Sequence, residues 1–176
     1  MTVNKKNISE EIEALATAIA NELNGLSTYL KFARQTSNFS GKNMFITLAS
    51  DELQHFHILD SQRRQMQEKN EWQQTEIKKS VIQSLLPKFD SVAVKGGESK
   101  ASDTEALNVA LKLEENSRNF YRKQAGLVND VKAKSMYSQL AEMEDAHYKI
   151  ILAERESVLK SGFWMDVPEF SVELPE

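Results

Sequence analysis

The stretch Leu48-Ala49-Ser50-Asp51-Glu52-Leu53-Gln54-His55 returns as Leu140-Ala141-Glu142-Met143-Glu144-Asp145-Ala146-His147, and both copies read LAxxExxH. A Glu and a His three positions apart on a helix project from one face about a turn apart, so their oxygen and nitrogen can converge on one metal ion. The copies lie 92 residues apart, and the same offset carries Glu22 onto Glu114, Gly25 onto Ser117, Tyr29 onto Tyr121 and Ala33 onto Ala125. The chain therefore reads as a tandem duplication of one helix pair.

Periodicity places the motifs on helices. A first helix is expected over about residues 9–36, entered through a capping pair of Asn7 and Glu10. Its apolar stripe is Ile12, Leu15, Ile19, Leu26 and Ala33, and Glu22 and Tyr29 fall on that stripe. A carboxylate on a buried face is costly unless something satisfies it. The turn Ser37-Asn38-Phe39-Ser40-Gly41 leads into a second helix over about 41–70, with Phe45, Leu48, Leu59 and Met66 around Glu52 and His55. A third helix over about 103–126, capped by Ser102 and Glu105, turns Leu107, Leu111, Glu114, Tyr121 and Ala125 inward. The fourth, over about 130–160, carries Tyr137, Leu140, Ile151 and Val158 beside Glu144 and His147, and Gly162 stops it.

Residues equidistant from a hairpin turn lie level across it. The midpoint of Glu22 and Glu52 is residue 37, inside the first turn, and that of Glu114 and Glu144 is Asn129, at the second. The segment 71–102 between the two hairpins is too long for a tight turn and suits a crossover along the bundle. Within it, Glu76–Leu86 reads as a short helix ended by Pro87, and Asp90–Ser102 with Gly96-Gly97 as loop. The tail 161–176, with three aromatics and two prolines, is expected to be non-helical and to pack over the bundle or a second subunit. The expected fold is all-α: a four-helix bundle with one long crossover between helices two and three, in a single domain spanning residues 1–176.

Six polar residues then share one level of the core. Glu22 and Glu114 supply one carboxylate each, and Glu52/His55 and Glu144/His147 supply Glu-x-x-His from the other two helices, the donor set of di-iron and di-manganese carboxylate bundles. Four negative carboxylates offset two divalent ions, iron or alternatively manganese, with Glu52 and Glu144 as bridges and Glu22 and Glu114 as terminal ligands. A lone Glu-x-x-His is commonly a solvated pair; the repetition, the level partner Glu and the apolar surroundings are what favour a dinuclear site here. Glu115 and Glu142 are the alternatives in a shifted register. The remaining bland reading is a decayed site surviving as a buried hydrogen-bond network. Tyr29 and Tyr121, two turns beyond the terminal Glu residues, are candidate catalytic residues that donate to ligand carboxylates, with plain core packing the equal alternative. Asp51 is a candidate partner for the outer nitrogen of His147, His57 reads as a surface residue, and Arg118 as a surface Arg or a partner for a carboxylate near the site.

Composition narrows the function classes. A net charge of −4 spread along the chain leaves no basic stripe for nucleic acid. There is no cysteine, hence no disulfide, zinc-thiolate or iron–sulfur centre in this polypeptide, and any electrons it uses must come from elsewhere. No long apolar run marks a signal peptide or a membrane span, and a cytoplasmic location is the default expectation.

These motifs resemble the rubrerythrin branch of the ferritin-like superfamily. The similarity covers about residues 8–160 and rests on A-x-E-x-x-G-x-x-x-Y around Glu22, LASDELQH, E-x-x-S-x-x-F-Y from Glu114 to Tyr121, and LAEMEDAH; the closing GFWMDVPEF is similar to tails of members without a rubredoxin domain. The resemblance implies a ferritin-like bundle with a non-haem di-iron centre that reacts with hydrogen peroxide or dioxygen and is re-reduced by a rubredoxin-like donor. A ferroxidase or iron-handling protein, and a manganese catalase-like or non-enzymatic bundle, are the alternatives; a homodimer is the expected assembly. One departure stands out. Rubrerythrins usually carry a further carboxylate one turn after the third-helix Glu, and here that position is Ser117.

Overall fold

A computed structural model describes residues 5–85 and 100–165, and its regular structure is five helices: α1 (Lys5–Gln35), α2 (Phe39–Lys69), α3 (Val81–Leu85), α4 (Ala101–Leu127) and α5 (Val131–Ser161). The four long helices form two hairpins, α1 on α2 and α4 on α5, joined by the crossover that contains α3. The architecture is an all-α, ferritin-like bundle. No helix among the described residues is long and apolar enough to cross a membrane.

Local chemistry sets both hairpins. Asn38 Oδ1 accepts the Gly41 amide at 2.9 Å, and Asp130 Oδ1 accepts the amides of Lys132 and Ala133 at 2.8 and 3.2 Å, so each second helix of a pair starts on a side-chain cap. Both also end alike. Asn70 (φ 54°) and Gly162 (φ 79°) take the left-handed conformation that closes a helix C-terminus. These caps are again 92 residues apart.

Two expected starts are corrected. α1 is already helical at Lys5, which puts Asn7 inside the helix and not at its cap. α4 begins at Ala101, because the Lys100 amide donates to Asp103 Oδ2 at 3.0 Å; the predicted Ser102/Glu105 box is displaced by two residues. Asp103 wins because it also makes a long-range contact, accepting the Trp164 indole N–H at 3.2 Å. The crossover helix starts later than its periodicity suggested, at Val81 and not Glu76, with Ser80 and Gln83 exchanging side chain-to-amide bonds of 3.2 Å at its start; Leu85 is its last described residue. Pro87, the Gly96-Gly97 loop and the tail beyond Met165 lie outside the described residues.

The core consists of two apolar clusters. One gathers around Tyr29, Phe45, Ile150 and Trp164, the other around Leu15, Leu59, Trp72, Tyr121 and Tyr137. Trp164 is fully buried, and it reaches that place because Gly41 has no side chain: a Cβ there would stand 2.8 Å from the indole. The first residues after α5 thus pack back onto the bundle. Trp72, after α2, does the same in the other repeat, its indole N–H donating to Glu11 Oε2 at 3.2 Å. The offset of 92 therefore extends to Trp72 and Trp164 and to their acceptors Glu11 and Asp103.

Gln62 and Glu154 show the same correspondence with a chemical difference. Gln62 spans the backbone of Gln73, accepting its amide at 3.0 Å and donating to its carbonyl at 2.9 Å. Glu154 accepts the Met165 amide at 3.0 Å through Oε2, but its buried Oε1 has no partner. Burial raises its pKa to about 8, against a lowering by the Met165 amide. The folded chain thus favours the protonated form: this contribution is full below the ordinary carboxylate range and is lost as pH rises through about 8. A Glu154→Gln chain should be more stable than wild type by about 1–3 kcal/mol at alkaline pH, with little difference in mild acid. Urea denaturation across that range measures it, and parallel pH profiles for the two proteins would refute the account.

Candidate metal centre

Glu22 and Tyr29 of α1, Glu52 and His55 of α2, Glu114 and Tyr121 of α4, and Glu144 and His147 of α5 meet at the bundle's centre, none more than 3% exposed. Their donor atoms fall into two groups: Glu22, Glu52, His55 and Glu144, and Glu52, Glu114, Glu144 and His147, with all atoms of a group within 4.8 Å of one another. Glu52 and Glu144 belong to both. The alternatives from a shifted register point away: Glu115 pairs with Lys112 at 3.2 Å on the surface, and Glu142 is exposed.

Each imidazole turns Nδ1 toward the carboxylates. His55 Nδ1 lies 3.1 Å from both Glu22 Oε2 and Glu144 Oε1, and His147 Nδ1 lies 3.5 Å from Glu114 and Glu144 and 3.6 Å from Glu52. The rings stack at 5.8 Å. The outer nitrogens differ. His147 Nε2 meets Asp51 Oδ2 at 3.0 Å, an arrangement that fixes the ring and presents the Nδ1 lone pair inward. At the corresponding place in the other repeat stands Met143, and His55 Nε2 has no partner.

The tyrosines cross between the hairpins. Tyr29 of α1 donates to Glu114 Oε1 on α4, and Tyr121 of α4 donates to Glu22 Oε1 on α1. Plain core packing does not describe them. Arg118 is neither free nor at the centre; it pairs with Asp145 at 3.1 Å and lies over the Tyr148 ring at 4.8 Å. His57 is exposed.

The chemistry of this cluster asks for cations. Glu114 Oε2, both Glu144 oxygens and His147 Nδ1 are buried without a well-directed hydrogen bond, although they stand only a few ångströms apart. Acceptors facing acceptors with no proton between them are costly in a protein interior, and a divalent ion removes the cost. The residues fit two such ions. Without them the cluster holds protons instead. Burial and then the neighbouring carboxylates push Glu52 far up, and burial and Glu144 push Glu114 to about 8. Burial disfavours charge on the imidazoles, yet Glu22 and Glu144 carry His55 to about 10, and Glu114 with Asp51 holds His147 well above its usual range. For Glu144 the burial effect is outweighed by the close approach of Glu114, His147 and His55, which holds it ionised.

A small cavity of about 140 Å³ opens beside Glu52 and Glu114, between α1 and α4, lined also by Asn21, Asn24, Gly25, Asn116 and Ser117. Gly25 is required here: a Cβ would stand 2.8 Å from Glu52 Oε2. Its repeat counterpart, Ser117, faces the same cavity. The three asparagines at its mouth carry no motif or spacing that marks them in the sequence.

The family comparison decides the identity, matching rubrerythrin over residues 13–154, most of the chain and all six donors. The chain belongs to the rubrerythrin family. Among curated proteins none matches it. Rubrerythrins are typically di-iron proteins with oxidoreductase roles, and the buried carboxylate–imidazole cluster of this rubrerythrin is of the kind that holds metal.

Metal uptake should be coupled to proton release. Protons on Glu52, Glu114, His55 and His147 must leave before their atoms can bind a cation, so affinity for Fe²⁺ or Mn²⁺ should rise with pH through about 8, where Glu114 ionises, and on toward about 10, where His55 loses its proton. The metal-free protein should lose stability over the same rise, because groups with raised folded pKa values stabilise it only while protonated; added metal should restore it. Calorimetry in buffers of different ionisation enthalpy reads the protons released. Uptake without proton release would contradict this electrostatic picture.

Proposed function

We propose that the protein is a non-haem di-iron oxidoreductase that reduces hydrogen peroxide, or dioxygen, with electrons from a separate rubredoxin-like donor. The observation that carries the reading is the pair of buried donor groups sharing Glu52 and Glu144. On this reading Glu22, Glu52 and His55 serve one ion and Glu114, Glu144 and His147 the other, with Glu52 and Glu144 shared between them. Two ferrous ions held there supply the two electrons that peroxide needs.

The protein's own part is position, protons and exclusion of water. The cavity beside Gly25 and Ser117 admits a molecule the size of peroxide and offers it the asparagine amides at its mouth. Tyr29 and Tyr121 donate hydrogen bonds to Glu114 and Glu22, and burial followed by the surrounding carboxylates raises both phenols well above their ordinary range, so they keep their protons and hold these two carboxylates in place. Each peroxide takes two electrons and two protons and leaves as two waters. Apolar clusters around the polar centre keep bulk water out. Because this chain contains no cysteine, the electrons come from a partner carrying its own redox group.

Iron-loaded protein should consume peroxide only when a reduced one-electron donor such as a rubredoxin is supplied, without evolving oxygen. Glu52→Ala or Glu144→Ala should abolish binding of both ions by elemental analysis. Tyr29→Phe should keep both ions and slow turnover by up to about a hundredfold. Oxygen release without a reductant would point to manganese-type disproportionation, and iron uptake far beyond two ions per chain to storage; either result would end the peroxidase reading.

A further inference from the structure

The two donor groups of the candidate centre are matched in kind, three carboxylates and one imidazole each, with Glu52 and Glu144 common to both. What stands behind the imidazoles is not matched. An imidazole that binds a cation through Nδ1 carries its remaining proton on Nε2, and the group that accepts this proton fixes the tautomer and strengthens the ligand. Behind His147 the acceptor is a carboxylate: Nε2 meets Asp51 Oδ2 at 3.0 Å, and Asp51 is itself buried. Behind His55 there is none, for its Nε2 is buried without a partner.

The inward nitrogens differ in the complementary sense. His147 Nδ1 has no well-directed hydrogen bond, its nearest carboxylate oxygens standing 3.5–3.6 Å away. His55 Nδ1 lies 3.1 Å from both Glu22 Oε2 and Glu144 Oε1, within hydrogen-bond reach. A cation arriving at His147 therefore meets a nitrogen that is held in place and uncommitted. One arriving at His55 displaces the contacts of Nδ1 and leaves an Nε2–H buried with no acceptor, which is costly. The duplication shows that this inequality is not forced by the fold. Asp51 reaches from α2 to the imidazole on α5, and the residue 92 positions on, placed on α5 as Asp51 is on α2, is Met143. Its buried thioether is a weak acceptor at best.

We propose that the two metal positions fill in a fixed order: the position at His147, with Glu114, Glu144 and Glu52, is taken first, the position at His55 and Glu22 second and more weakly, and Asp51 sets that order. Asp51 is a positioning residue, since it belongs to neither donor group and acts through His147. Loss of such an outer partner lowers metal affinity about 10–100-fold, and that is the ratio expected between the two positions. The inference rests on the two-ion reading above and adds its regulation: where metal is scarce the chain stays in a one-ion form, which lacks the second of the two electrons that peroxide takes. Sharing Glu52 and Glu144 by itself makes any second ion bind more weakly, so the test has to identify which imidazole is occupied first.

Zn²⁺ is a suitable probe, because it is diamagnetic and takes carboxylate and imidazole ligands without redox chemistry. With histidine labelled with nitrogen-15, the chain's three imidazoles can be followed separately by magnetic resonance, exposed His57 serving as the internal reference. The first equivalent of Zn²⁺ should shift the ring nitrogens of His147 and leave those of His55, and the second should shift His55. Asp51→Leu should erase the preference by weakening the first step about 10–100-fold, whereas Asp51→Asn, which keeps an oxygen to accept the Nε2 proton, should retain the order. Met143→Gln, close to methionine in size and able to accept, should tighten the second step about tenfold. Thermal melting checks that each variant is folded. Both imidazoles shifting together at the first equivalent in the wild type, or an Asp51→Leu chain that loads in the wild-type order with unchanged affinity, would overturn the proposal. Ordered Zn²⁺ loading in a protein that is inert to peroxide when filled with iron would keep the loading order and remove the peroxidase reading; peroxide reduction by a protein whose two positions fill together would do the reverse.

Discussion

Burying four carboxylates and two imidazoles at one level of a helical bundle is the constraint on which the rest of the structure depends. Taking such groups out of water costs several kcal/mol per uncompensated charge, more than a typical side-chain contact returns. Helices α1, α2, α4 and α5 accept the cost together, because each contributes at least one of the six. The compensation inside the protein is partial. Tyr29 and Tyr121 tie Glu114 and Glu22 across the two hairpins, and Asp51 ties His147, yet both oxygens of Glu144 still lack a well-directed donor. The cluster is of the kind that holds metal, and the protein's own hydrogen bonds position its side chains without satisfying all of them.

Duplication explains how so demanding a centre is assembled from simple parts. One hairpin supplies half of each requirement: a terminal carboxylate, a shared carboxylate, an imidazole, a tyrosine and a tryptophan that folds back after the second helix. Two copies facing each other supply the rest. The crossing hydrogen bonds make the halves interdependent, since the tyrosine of one repeat satisfies the carboxylate of the other. Either hairpin alone would leave a phenol and a carboxylate buried and unpaired.

Much of this was legible in the chain. LAxxExxH occurring twice at one offset fixes the helix faces, the level of the six donors and the long crossover, because helical periodicity turns sequence spacing directly into geometry. The helix starts at Lys5 and Ala101 were misplaced for a related reason. Capping pairs such as Asn7/Glu10 and Ser102/Glu105 are local signals, and the Lys100–Asp103 cap prevails through Trp164, which lies 61 residues from Asp103 in sequence. The tryptophans were legible in principle. Trp72 and Trp164 obey the same offset as the donors, but they stand outside the helices where periodicity gives no guide. The cavity beside Gly25 could not be read at all, since it depends on how closely α1 approaches Glu52.

Where the two halves differ, the differences fall at the candidate centre and also in the residues that support the fold around it. Helix caps, core leucines and the six donors keep their chemistry between repeats. Several pairs do not, among them Gly25 and Ser117 at the cavity, Asp51 and Met143 behind the imidazoles, Phe45 and Tyr137 in the core, Leu26 and Arg118 beside it, and Gln62 and Glu154 under the chain that folds back after the second helix of each pair. A symmetric cluster would present two equally anchored imidazoles and two equal openings. Here one imidazole is anchored and the other is not, and a phenol stacks on Tyr121 where a phenyl ring stacks on Tyr29. The two halves of the candidate centre are therefore chemically unequal, although the duplication placed them on the same helical framework.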